Sequence, residues 1–213
     1  MMKRTIWVLI LGVGFIPGFC QDKDKVVLLN GDTVNVFIPG DPRKETNLAN
    51  AAIGNLNDYG YKRVIAVYGK DSTRIHYPFQ IKEYIRANKG AFLGSGFFFS
   101  KTLDEKLLVF NLSGTREVFF QRVNFHKDLI LWYYREDLGN TMPQSYFFAQ
   151  QKDKPTLVRV NTYKEWKKWV VYHPPLDSIS ATVSAPKKRG KKAVGNYFNY
   201  LVDIMEKYKK LYP

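Results

Sequence analysis

One cysteine and three histidines in 213 residues exclude much of the chemistry by which chains are stapled or made reactive. Cys20 has no partner for a disulfide within the chain, so the fold must rest on its core. His76, His126 and His173 stand far apart and form no HxH or HExxH spacing, so neither a metal site nor another cofactor is expected. Gly94-Ser95-Gly96 lacks the Gly-x-Ser-x-Gly elbow of a serine hydrolase and reads as a turn. No stretch reaches the roughly 18 uninterrupted apolar residues of a spanning helix, so no transmembrane helix is expected in the mature chain. Acids are also scarce, 19 against 33 Lys and Arg, which gives a formal net charge of +14.

The first twenty residues read as a secretory leader. Lys3 and Arg4 precede the apolar run Ile6 to Ile16, and Pro17-Gly18-Phe19-Cys20 leads into Gln21-Asp22-Lys23-Asp24. Two processing routes follow. Cleavage after Cys20 uses Gly18 and Cys20 as the small −3 and −1 residues and leaves Gln21 first; cleavage before Cys20 leaves it lipidated, with bulky Phe19 at the cut. The expected location is secreted or periplasmic after cleavage, with lipid anchoring at Cys20 the alternative. Either product remains strongly basic, and an exported protein of that charge is drawn to anionic headgroups, lipopolysaccharide or acidic polymers.

From Lys25 to Val160 the chain alternates strands with turn chemistry. Val26–Leu29 and Thr33–Ile38 flank Asn30-Gly31-Asp32, a pairing suited to a hairpin. Val64–Tyr68 and Arg74–Tyr77 flank Gly69-Lys70-Asp71-Ser72, and further strands are expected at Phe97–Phe99, Leu107–Leu112, Glu117–Val123, Leu129–Tyr134, Ser145–Gln150 and Thr156–Val160. The interval Glu45 to Leu56 is read as a short helix. Past Val160, Thr162 and Glu165 stand in capping-box spacing before Trp166, Trp169 and Val170, and His173-Pro174-Pro175 is expected to end that helix. A terminal helix from Asn196 to Leu211 sets Tyr197, Leu201, Ile204, Met205 and Tyr208 on one side, with Lys207, Lys209 and Lys210 in its last turn. The fold class is therefore α+β: a mainly antiparallel β body, sandwich or strongly curved sheet, over residues 21–160, then two helices within residues 161–213 packed on it.

The leader ending before Gln21, the hairpin Leu29-Asn30-Gly31-Asp32-Thr33-Val34, and Tyr68-Gly69-Lys70-Asp71-Ser72-Thr73-Arg74-Ile75 running into Tyr77-Pro78-Phe79-Gln80-Ile81-Lys82 come in a recognisable order. With the closing helix near Glu206-Lys207-Tyr208, that order resembles a group of secreted proteins of unknown function from Bacteroidetes. The resemblance implies an envelope setting in a Gram-negative cell and brings no catalytic residues.

Phe97-Phe98-Phe99, Phe119-Phe120, Trp132-Tyr133-Tyr134 and Tyr146-Phe147-Phe148 put rings on both faces of their strands, because adjacent strand residues point oppositely. Either a second sheet or the C-terminal helices bury both faces, or Trp132, Tyr133 and Tyr134 form an exposed strip that stacks on glycan or docks a partner. The run Lys187, Lys188, Arg189, Gly190, Lys191, Lys192 is either a solvated linker or a contact for phosphates and anionic headgroups, extended by Lys82, Arg86 and Lys89 if their segment is helical. No base-reading motif accompanies it, so sequence-specific nucleic-acid binding is not expected. Asp104-Glu105, Glu136-Asp137 and Asp71 sit beside turn residues, where they cap or face solvent unless two of them converge as a glycosidase pair. The expected role is a non-catalytic interaction or scaffold module facing an anionic envelope component or another envelope protein; the alternative is a glycan-binding or glycan-cleaving domain. Mass spectrometry of the native protein should show an N-terminus at Gln21, with or without cyclisation to pyroglutamate. A chain retaining Met1, or carrying diacylglycerol on Cys20, would refute the cleavage.

Overall fold

The computed structural model describes residues 23–42, 46, 59–69, 72–87, 96–108, 114–125, 128–136, 144–186 and 193–213. These form ten strands and three helices. The strands are β1 Asp24–Leu28, β2 Thr33–Val36, β3 Val64–Tyr68, β4 Ser72–His76, β5 Ile81–Arg86, β6 Gly96–Asp104, β7 Thr115–Phe125, β8 Leu129–Glu136, β9 Gln144–Gln151 and β10 Val158–Arg159; the helices are α1 Tyr163–Val170, α2 Pro174–Thr182 and α3 Ala193–Leu211. Eight strands make one antiparallel sheet in the order β10-β9-β8-β7-β6-β5-β1-β2, and β3 and β4 make a second. This is the α+β class expected.

Turn chemistry sets the first register. At Asn30-Gly31 the glycine takes φ 98°, a value that strains any side chain, and the Asn30 side chain accepts from the Asp32 amide at 3.0 Å. Val26 then faces Val34, and β1 continues into β5 with Lys25 opposite Ile85.

Residues opposed across an antiparallel ladder share a face. The row Tyr84, Phe98, Gln121, Tyr133, Phe147 therefore lies on one side of the large sheet, and the row Phe97, Arg122, Trp132, Phe148 on the other. The first side has two covers. Over β5 to β7 lie Val64, Ile65 and Ala66 of β3 with Tyr59 and Tyr61, whose ring meets Phe98 and Tyr133 edge-on at 6.0 Å each. Over β8 and β9 lie the helices, which pack Trp166, Val170, Leu176, Leu201 and Ile204 with Leu131, Phe147 and Ala149. Tyr133 packs against both clusters. On the second side the rings close on one another: Phe120 meets Trp132 at 6.4 Å, Tyr134 at 5.6 Å and Phe148 at 5.4 Å. Long cations lie across them, Lys101 Nζ 4.6 Å from the Trp132 ring and the Arg122 guanidinium 4.8 and 4.9 Å from Phe97 and Phe99.

The departures from expectation are local. The segment containing Lys82 and Arg86 is strand β5, not helix: Ile81, Tyr84 and Arg86 are buried, and Arg86 Nε donates to the Ile38 carbonyl at 3.2 Å. Lys89 lies outside the described residues. Three helices follow the body instead of two, because Pro174 and Pro175 not only stop α1 but open α2, where a missing N–H costs nothing. The terminal helix begins at Ala193, ahead of Asn196. Glu105–Leu107 is a 3-10 turn where a strand from Leu107 was expected, with 109–112 outside the described residues, as is the interval 45–56 except Thr46.

Helix α1 starts as its spacing dictates: Thr162 accepts from the Glu165 amide at 3.2 Å and Glu165 accepts from the Thr162 amide at 2.9 Å. Its buried face and that of α3 are continuous with the sheet. Leu201 is fully buried, and Leu201→Ala should destabilise the fold by about 2–5 kcal/mol in chemical denaturation. An unchanged midpoint would mean that α3 is not part of the cooperative core.

Candidate functional site

Among the described residues the exposed apolar side chains gather at few places, and the most exposed is Tyr172 at 81%. It sits in the turn between α1 and α2. Helix α1 stops because a residue before proline is driven out of the helical region, and His173 stands at φ −132°, ψ 75° before Pro174. The chain turns there on the bonds Tyr172 N–H to Trp169 C=O at 3.3 Å and His173 N–H to Val170 C=O at 2.8 Å. Val171 and Tyr172 are thereby left in water.

The two sides of this corner differ in chemistry. On one, Tyr163, Lys164, Lys167, Lys168, Val171 and Tyr172 line a shallow, largely apolar basin. Positions 164, 168 and 171 recur at helical spacing opposite Trp166 and Val170, so burial of one face aims the lysines outward. Lys167 pairs with Asp177 at 3.3 Å, whereas Lys164 and Lys168 make no ion pair among the described residues. Exposed aromatic and aliphatic groups thus stand within a ring of positive charge.

On the other side a cleft of about 350 Å³ is lined by Asp128, Gln151, Asp153, Tyr172, His173 and Tyr208 among others. His173 packs on Trp169 with ring centroids 4.2 Å apart, and Gln151 Nε2 lies 3.1 Å from its Nδ1. An amide nitrogen only donates, so Nδ1 accepts and the neutral ring carries its proton on Nε2. Burial, with Lys154 nearby, lowers the imidazole pKa below its ordinary 6.5. Among the described residues no group of three or more His, Cys, Asp or Glu is placed to hold a metal ion.

The sequence candidates fare differently. Trp132 and Tyr134 are 2% and 0% exposed and Tyr133 is half-buried, so of the two readings burial is the one that holds for these rings. The cause for Trp132 and Tyr134 is the packing of their own face, where Phe120 meets both rings and Lys101 lies over Trp132. Trp132 Nε1 even finds a buried acceptor, Gln150 Oε1 at 2.8 Å. The basic run Lys187, Lys188, Arg189, Lys191 and Lys192 lies outside the described residues, as do His126, Ser95, Asp71 and Asp137. Of the acids, Asp104 accepts from the Lys106 amide at 3.0 Å, while Glu105 and Glu136 do converge. They meet on one guanidinium, Arg116, which also donates to the Tyr134 hydroxyl at 3.2 Å. With that cation between them they form a structural clamp and not a pair facing a substrate. Sequence reasoning missed Lys164, Lys168 and Tyr172, although the lysines' spacing against Trp166 and Val170 was available as a signal.

Comparison with family models, curated proteins and solved structures finds no match to this chain.

The lowered imidazole predicts a pH dependence of known sign. Above about pH 6.5 His173 is neutral whether folded or unfolded, so its contribution is fully present; as the pH falls, the unfolded chain takes the proton first, and stability is lost until the folded pKa is passed. The buried His76, also lowered, acts in the same direction. Denaturation at about pH 7.5 and about pH 5 should show a smaller acid loss for His173→Gln than for wild type, and equal losses would show that the ring's environment does not differ between the two states.

Proposed function

We propose that this chain is a non-catalytic interaction module of the cell envelope that docks on anionic surfaces, with the α1–α2 corner as its contact. The observation that carries this reading is the outward face of α1, where Lys164 and Lys168 flank the exposed Val171 and Tyr172. A tyrosine with an apolar body and a polar tip suits the boundary between headgroups and acyl chains, and lysine stems lie along apolar surface while their ammonium groups reach phosphate. Of the chain's formal charge of +14 only Lys3 and Arg4 leave with the leader, so the strongly basic remainder is drawn toward such surfaces from a distance, and the corner supplies short-range contact. The run Lys187 to Lys192 adds charge by the same mechanism. Export through the leader, which the resemblance to secreted Bacteroidetes proteins also favours, would bring the protein to phospholipid and lipopolysaccharide.

Each lysine near a charged membrane contributes about 1 kcal/mol, so neutralising two should cost about 2 kcal/mol, or roughly 30-fold in affinity. Co-sedimentation with phosphatidylglycerol vesicles should show that loss for Lys164→Gln/Lys168→Gln and a further loss for Tyr172→Ala. Binding should fade as salt rises from about 0.05 to about 0.5 M, because screening shortens the reach of each charge. Reversal of Lys187, Lys188 and Arg189 to Glu should weaken it further. Equal binding by wild type and all variants, or no binding by wild type at the lowest salt, would overturn the proposal.

A further inference from the structure

Two aromatic rings stand in water at a place where the fold has no need of them. Tyr77 and Phe79, 38% and 63% exposed, flank Pro78 in the turn that joins β4 to β5. Their rings are parallel to within 10°, with centroids 5.7 Å apart. That separation exceeds the contact distance of directly superposed rings, so the two are offset and each leaves part of its face uncovered. Leu29, also exposed, comes to the same end of the sheet because Leu28 pairs with Ile81.

The turn is held rigidly. Pro78 opens a 3-10 helix over Pro78–Gln80, the Tyr77 amide donates to Gln80 Oε1 at 3.0 Å, and Ser100 Oγ donates to the Pro78 carbonyl at 2.6 Å. The same hydroxyl lies 3.3 Å from Glu117 Oε2, so one oxygen separates the aromatic turn from an exposed carboxylate. With Oε1 of Gln80 occupied, its amide nitrogen is the group left to donate outward.

We infer that Tyr77 and Phe79 form a stacking platform for a neutral saccharide, whose hydroxyls are met by Gln80, Ser100 and Glu117. The C–H faces of a pyranose are flat and apolar, and its edges carry donors and acceptors in every direction. An aromatic surface bordered by an amide, a hydroxyl and a carboxylate matches that pattern. A lipid tail would strip water from Gln80 and Glu117 without returning a hydrogen bond, which costs free energy for each group so buried. An acidic sugar would meet the Glu117 carboxylate as a like charge.

The test uses the full mature chain against laminarin, pullulan and glucomannan in native affinity gels, and against cellulose, chitin and murein sacculi by co-sedimentation. At least one should retard or sediment the wild type. Tyr77→Ala and Phe79→Ala should each weaken that binding roughly two- to tenfold, the range for one lost ring stack, while Phe79→Trp retains it and Glu117→Gln gives an intermediate loss. Because both rings are exposed, their denaturation midpoints should stay close to wild type, so lost binding would not reflect lost folding. No interaction of wild type with any of the six, or equal binding by the alanine variants, would overturn the inference. So would loss of vesicle binding by Phe79→Ala with no saccharide bound, since the platform would then be a lipid contact. None of these outcomes involves Lys164 or Lys168, so the inference and the proposed function stand or fall separately.

Discussion

Neighbouring residues on a strand cannot share a face, and this chain places large aromatic rings at adjacent positions on several strands of one sheet. Neither face can then be given to water without exposing a row of rings at a cost of about 25 cal/mol per Å² of apolar surface. The architecture is the resolution of that constraint. One face is roofed by the β3–β4 hairpin over β5 to β7 and by three helices over β8 and β9, with Tyr133 at the seam of both clusters. The other closes its rings on each other and lays Lys101 and Arg122 across them. The late helices are thus required by the early strands, and the helical segment is not an appendage.

The same constraint decides which charges are available for function. Asp24 is buried and accepts from the Ile38 amide at 2.7 Å and the Ala87 amide at 2.8 Å, tying the first strand to the exit of β2 and the end of β5. Arg116 holds Glu105 and Glu136 together, and Arg159 holds Glu165 at 2.7 Å, which fastens β10 to the first turn of α1. Several ionic groups that look prominent in the sequence are therefore committed to holding elements in place. The outward lysines of α1 are not so committed, and they border the most exposed tyrosine.

The fold was largely legible because its signals are local. Asn30-Gly31 fixes a hairpin, Thr162 and Glu165 fix a helix start, and the spacing of Leu201, Ile204 and Met205 fixes which side of α3 is buried. The misreadings share a cause. The helix on which Lys82, Arg86 and Lys89 would have extended the basic run does not form at Lys82 and Arg86, because Lys25 to Leu28 and Gly96 to Phe99 pair with β5 from both sides, and that pairing is decided by residues far off in the chain. Proline after His173 signals both an end and a beginning, and local pattern shows only the first. The site was less legible than the fold. Exposure is a property of the finished packing, so Trp132 and Tyr134 went inside while Tyr77, Phe79 and Tyr172, inconspicuous in composition, stayed out.

The borders of the large sheet carry a consequence of their own. Strand β10 is only two residues long, and Pro155 lies just before it. At the opposite border β2 has four residues, and the chain beyond it bends away so that Phe37 bridges Val67 of the small sheet. Short, diverted borders offer little backbone for another extended chain to add itself to, which guards against uncontrolled self-association of a sheet this rich in β-forming residues. It also means that the large sheet presents projecting side chains, and little free strand edge, to its surroundings. Among the described residues the surface displays rings on its turns and ammonium groups on the outward face of α1.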